Sequence, residues 1–358
     1  FNLITLSQLV AQNFEWANHL AATGNTGQVH TVVDKNGNTY ATGSFAGSYT
    51  IQDVTINSKN TLNDFWVAKF NKNGSLIWLQ QAGGEGADVA NAITLDAAGN
   101  VLICGAITAN PIFAGTSLEF TNFYDAFVAK LTKTGTLTWV KTFGGADFDE
   151  FADITTDKNG NVFVVGSEQS DSVNFAGEQF IIEPGNISFV VNKYAADGTE
   201  LWMQHNTSSG GANGLQIASD KKGNIYAFGS FLGDAIINGQ NFSSPQACIL
   251  TKFTNNGLPI WENVMNIIGG TTSCDLVTDL SGNAYLGVTK IGGEMAIQEF
   301  VFDTFNAEGY GILAKFNKSN GDVIWAESYN GENVSSIYDI CITGANELLV
   351  AGAYYNAL

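Results

Sequence analysis

Nearly the same seven residues recur along this chain: DKNGNTY at 34–40, DAAGNVL at 96–102, DKNGNVF at 157–163, DKKGNIY at 220–226 and DLSGNAY at 279–285. A sixth, weaker copy begins TGANE at 343. The first residues, Asp34, Asp96, Asp157, Asp220, Asp279 and Thr343, stand 62, 61, 63, 59 and 64 positions apart. Six tryptophans, Trp16, Trp78, Trp139, Trp202, Trp261 and Trp325, keep the same phase. Two markers sharing one period near 60 residues require stacked or radially arranged units.

The grammar of one unit is clearest between residues 91 and 145. NAITLD alternates as a strand, AAGN is a turn, VLICGAI a second strand, DAFVAKLT a third, KTG a turn, and TLTWVKTFGG a fourth. DxxGN is therefore the hairpin corner between strands one and two. Its Gly supplies the positive φ of a tight turn, and its Asp accepts backbone N–H groups across it. A calcium loop of the EF type is excluded: it needs Gly at position 6 and Glu at 12, whereas the first copy has Gly at 4 and Phe45 at the twelfth place. Between strands two and three, each unit carries a variable stretch with its own hairpin signals, such as TIQDVTIN from 50 and VNFAGEQFII from 173. Each predicts a small β-ribbon at one rim, where a repeat scaffold varies most freely.

About six four-stranded units, each with an aromatic in its last strand, are best satisfied by an all-β fold, a β-propeller, in which sheets pack face to face around a ring and hide most edges. DAFVAKLTKTGTLTWVKTFGG followed by FADITTDKNGNVFVVGS resembles the SBBP-type propeller repeats of secreted bacterial proteins and shares its strand order with NHL repeats. The likeness spans about residues 14 to 354. It implies a β-propeller of exported type and brings no shared catalytic motif. Two departures predict distortion in the last two units: Val288 replaces the Gly found at 43, 105, 166, 229 and 352, and TGANE replaces DxxGN at 343.

Composition agrees with many short strands: Gly is abundant (40), Pro scarce (4), and only 14% of residues are charged. The formal charge is −19 and there is no Arg, which argues against nucleic acid, since phosphate contacts need clustered cations and base reading leans on Arg. FNLITLSQLVAQ, within residues 1–13, has the form of the back half of a secretory signal peptide, pointing to bacterial export and a secreted or cell-surface location. No other stretch approaches the ~18 apolar residues of a membrane span. Residues 14–358 form the repeats. FEWANHL reads as a fourth strand without its first three, and the C-terminal copy supplies only strands one and two, so the expectation is an incomplete ring, a monomeric module of a longer chain. Cys104, Cys248, Cys274 and Cys341 fall inside predicted strands at spacings that match no metal pattern. They are expected to be buried thiols, and the opposite strand parity of Cys274 and Cys341 disfavours a disulfide.

Residues common to all units belong to the scaffold. The Trp series is expected to pack between sheets, with Trp66 in the core. Lys69, Lys130, Lys193, Lys252 and Lys315 are expected to lay their stems on the neighbouring sheet, with the ammonium near a carboxylate or carbonyl. Function is then sought where equivalent positions differ. Four residues before each marker stand His30, Ala92, Asp153, Gln216, Asp275 and Asp339, which radial symmetry brings to one height of a central channel. Asp88 and Asp149, eight before their markers, are expected to add carboxylates at the same mouth. Converging acids could be a solvated channel lining or a polar-ligand site, with calcium as a possible cation.

The catalytic inventory is thin. His19, His30 and His205 differ in repeat phase, and no GxSxG, HExxH or phosphate loop occurs. NGDVIWAES resembles the Trp-bearing repeat of quinoprotein dehydrogenases, but adjacent cysteines and Arg are missing. A pair of carboxylates ~5 to 9 Å apart, sufficient for a glycosidase, stays open among 34 acidic residues. The reading is a binding or scaffold module for a glycan or protein partner. A propeller hydrolase or lyase using channel-mouth Asp residues with His30 is the alternative.

Overall fold

The computed structural model describes residues 20–120, 123–182, 185–304, 309–329 and 335–354, and among them there is no helix. The chain is a β-propeller. Five antiparallel four-stranded blades follow one another: Thr26–Val33, Thr39–Phe45, Asp64–Phe70 and Leu76–Gly83 in the first; Val89–Leu95, Val101–Ile107, Asp125–Leu131 and Leu137–Phe143 in the second; Asp149–Thr156, Val162–Glu168, Ile187–Tyr194 and Glu200–Ser208 in the third. Ala212–Ser219, Ile225–Ile237, Gln240–Phe253 and Pro259–Ile267 make the fourth; Gly270–Thr278, Ala284–Ile291, Tyr310–Phe316 and Val323–Tyr329 the fifth. Among the described residues the sixth blade has two strands, Ser335–Ile342 and Leu348–Tyr354. The expected signal remnant at 1–13 and Trp16 lie outside the described residues. So does the strand at 14–20 apart from Leu20, which pairs with Ile51.

The recurrent motif closes the first hairpin of each blade as its composition dictates, and its Asn has a role as well. Asp96 Oδ1 accepts the N–H groups of Ala98 and Asn100, while Oδ2 accepts the Asn100 side-chain amide at 2.8 Å. The same three bonds recur at Asp34, Asp157, Asp220 and Asp279.

Blades are joined by a clasp repeated from one to the next. Trp78, Trp139, Trp202 and Trp261 each donate Nε1–H to a backbone carbonyl in the strand-three-to-four turn of the following blade: Lys133, Ala196, Asn255 and Lys318, at 3.1–3.2 Å. Lys69, Lys130, Lys193 and Lys252 donate their ammonium to the same four carbonyls. Lys130 also pairs with Asp96 at 3.0 Å, and Lys315 with Asp279 at 3.3 Å. The turn glycine lies on the indole face: a Cβ on Gly135 would sit 2.7 Å from the Trp78 ring. The Trp series thus packs between blades, but only Trp261 is buried; Trp78, Trp139, Trp202 and Trp325 are half-buried because they sit toward the perimeter. Trp66 is in the core, 1% exposed.

All the apolar clusters among the described residues but one, which lies within the first blade, are shared by two neighbouring blades. Phe65, Phe127 and Ile103 join the first and second; Val128, Phe151 and Val190 the second and third; Phe228, Leu250 and Leu286 the fourth and fifth. The ribbons add an outer catch, since the ribbon of one blade pairs with the end of the preceding fourth strand, as Phe113 with Ala82, Ile236 with Thr207 and Ala296 with Asn266. All four cysteines are free. Cys104 and Cys248 are buried, but Cys274 is half-buried and Cys341 exposed, contrary to expectation, because Cys341 shares with Leu349 the uncovered face of the two-stranded sheet.

Every innermost strand carries a register irregularity, and this was not legible from spacing. In blades two, three, four and six, one extra residue is inserted five positions before the marker, at Asn91, Ala152, Leu215 and Tyr338. The carbonyl two residues before the bulge presses on the glycine of strand two: a Cβ on Gly105 would lie 2.0 Å from Val89 O, and one on Gly166 1.9 Å from Glu150 O. Val288 cannot accept that approach. In blade five it pairs directly with Cys274, and the irregularity moves two residues up, to Thr272. The distortion expected there takes this form.

Candidate functional site: the central channel

The six innermost strands enclose a cavity of about 1090 Å³. His30, Ala92, Asp153, Gln216, Asp275 and Asp339 all line it, as radial symmetry required. Glu150, which the sequence did not single out, lines it too. The bulge at Ala152 explains why: one inserted residue reverses the alternation of faces, so positions seven and four before the marker both border the channel.

The same reversal turns Asp88 and Asp149 away from the channel. Both are fully buried, and neither lies at the mouth. Asp88 accepts the N–H groups of Gly84 and Thr108, each at 2.7 Å. Asp149 accepts those of Gly145 and Gln169 at 2.9 and 3.0 Å and the Ser170 hydroxyl at 2.7 Å. Each carboxylate draws in the loop that leads to its innermost strand. Burial pushes Asp88 up to about 7 and Asp149 to about 6.

Asp153 and Asp275 do not point at the axis. Asp153 Oδ2 accepts the N–H of Ile217 in the next blade at 2.8 Å, and its Oδ1 accepts that of Ile154. Asp275 repeats this with Ile340 at 2.7 Å and with Leu276. Burial raises both acids, Asp153 to about 7, and a hydrogen bond with Asp339 raises Asp275 further. Burial also lowers His30, favouring the neutral imidazole. Among the described residues, no three His, Cys, Asp or Glu side chains gather as a metal-ligand set.

Four acids, one histidine and no lysine stand among the described lining residues. The arrangement suits neutral hydroxylated or cationic groups and disfavours anions. For hydrolysis it is poorly organised. Both carboxylate oxygens of Asp275 are taken by backbone N–H groups, those of Leu276 and Ile340, and among the described residues no ion pair joins His30 to an acid.

No known protein-family profile matches the chain. It is 24% identical over 236 residues to an uncharacterized WD repeat-containing protein of Acanthamoeba polyphaga mimivirus, a match covering 57% of this chain and 17% of that one. The chain thus spans about a sixth of the length of this curated relative. Among solved structures it is similar to a quinohemoprotein alcohol dehydrogenase from Comamonas testosteroni, at 12% identity and a TM-score of 0.43, covering 93% of this chain and 65% of that one. It is also similar to BamB from Moraxella catarrhalis, at 12% identity and a TM-score of 0.25, covering 93% and 94%. These likenesses concern fold alone.

Proposed function

We propose that this protein is an exported binding module of SBBP-like type, which receives a polar, non-anionic ligand in its central channel. The ligand is a surface glycan or a segment of another protein. The observation that carries this reading is the cavity on which the six innermost strands converge, lined among the described residues by Glu150, Asp153, Asp275 and Asp339 without a lysine. Its volume is at the top of the ~300–1,000 Å³ typical of ligand sites. The polar residues repeated in every blade serve turns and clasps, whereas the channel positions differ from blade to blade.

The experiment is a calorimetric titration of three probes: neutral oligosaccharides, sulfated oligosaccharides and a lysine-containing peptide. Binding of a neutral or cationic probe that weakens at least tenfold in Gln216→Ala supports the reading. Preferential binding of the sulfated probe, or binding indifferent to Gln216, overturns it. Export is tested by fractionating cells that express the complete gene; retention in the cytoplasm would remove that part of the proposal.

A further inference from the structure

The cavity is not symmetric: among the described residues its lining reaches outward from the innermost strands at Ser230, Leu232 and Gln246, on the side of the fourth blade that faces the fifth. At the first five blade junctions the equivalent positions are the residue six before the strand-three Lys and the residue eight or nine before the next marker. At the first junction they are Asn63 and Ala87, where the Asp88 N–H bonds Asn63 O at 2.7 Å. At the second, the rings of Tyr124 and Phe148 are 4.9 Å apart and fill the cleft. At the third, Ile187 would lie 3.5 Å from a Cβ on Gly211. At the fifth, Ser335 N–H bonds Gly309 O at 2.9 Å. At the fourth the residues are Gln246 and Gly270, and a Cβ on Gly270 would meet nothing within 4 Å. Both residues line the cavity.

Three residues shape this cleft. Thr271 stands where the second and third blades have Asp88 and Asp149; the first, fourth and sixth blades also lack that carboxylate, at Thr26, Ala212 and Ser335, so what sets the fifth blade apart is Lys290. Fully buried, it holds the loop that leads into its blade: its ammonium donates to the carbonyls of Ile268 at 2.6 Å, Ile291 at 2.9 Å and Gly292. Val288 moves the register irregularity up to Thr272, so both threonines border the cavity.

Resting on the channel reading above, we infer that the cleft between blades four and five is a saccharide subsite. It takes a neutral hydroxylated ring between Gln246 and Ser230 on one wall and Thr271 and Thr272 on the other, over the apolar side of Leu232. Hydroxyls and a primary amide both donate and accept, which matches the alternating donors and acceptors of a sugar ring. Leu232, 42% exposed, offers the apolar surface against which C–H faces pack. None of these side chains carries a charge that would select an ionic ligand.

The probes are pentasaccharides of glucose, mannose and N-acetylglucosamine, together with a lysine-containing peptide, titrated against wild type, Gly270→Trp, Gln246→Ala and Asp339→Asn. The backbone at Gly270 is not left-handed, so a large side chain there fills the cleft without strain; Gln246→Ala is the second variant should Gly270→Trp fold poorly. The expected result is saccharide binding weakened at least tenfold by Gly270→Trp and by Gln246→Ala, with thermal midpoints unchanged. Saccharide binding indifferent to both variants overturns the subsite. Peptide binding that falls in Asp339→Asn but not in Gly270→Trp overturns the subsite and leaves the channel reading standing. Failure of every probe to bind overturns both.

Discussion

The Asp153 carboxylate crosses from the third blade to the fourth, where it accepts the backbone N–H of Ile217 at 2.8 Å. A residue chosen as a ligand contact is thus also a staple between blades, and its titration bears on stability. Burial raises it to about 7, so between about pH 4 and pH 7 the folded protein keeps a proton that the unfolded chain, with an ordinary pKa of ~3.9, releases. The folded state binds more protons there. Its contribution is therefore fully present below about pH 4 and is lost as pH rises through about 7. Thermal midpoints measured from pH 4 to 8 should fall, and Asp153→Asn should make the decline shallower; an identical slope would remove Asp153 as a source.

Asp149 should behave as scaffold alone. Asp149→Ala leaves the donors of Gly145, Gln169 and Ser170 without an acceptor in the interior, at a cost of about 3 kcal/mol. Denaturant unfolding reads the loss. Ligand affinity of the folded fraction should not change, since the carboxylate does not border the channel.

For the interblade clasp, Trp139→Phe keeps one aromatic ring, removes the hydrogen bond to Ala196 and gives up part of the packing, and should cost about 1–2 kcal/mol. Trp139→Ala should cost about 3 kcal/mol, the low end for a large aromatic because the indole is half-buried. Equal losses in the two variants would mean that the hydrogen bond, not the packing, holds the blades.

One repeat position should give losses of different size in two blades. Gly166→Val drives a side chain into Glu150 O, where even a Cβ would sit at 1.9 Å, and should destabilise by at least about 3 kcal/mol. Val288→Ala, where no bulge presses, should cost only about 1–2 kcal/mol for the lost methyl groups. Comparable losses would show that the bulge moves freely and that glycine is not what places it.

The sequence by itself determined the repeat, the four-strand unit, the hairpin corner at each DxxGN and the six residues that ring the channel at one height, because these rest on local turn chemistry and on a period that survives any detail of packing. Asp88 and Asp149 show where that reach ends. Alternation along a strand holds only while every residue is paired, and one bulged residue, visible only once the strand is docked on its neighbour, sends both carboxylates to the opposite face. The sideways turn of Asp153 toward Ile217 was likewise hidden, since its partner lies 64 residues away in another blade. The opening between blades four and five has its signals in Val288, Lys290 and Thr271, yet each is an ordinary strand residue on its own. Only the tertiary structure brings them together, because whether a cleft closes depends on how two loops from different blades are pulled, and that balance is set in space, not along the chain.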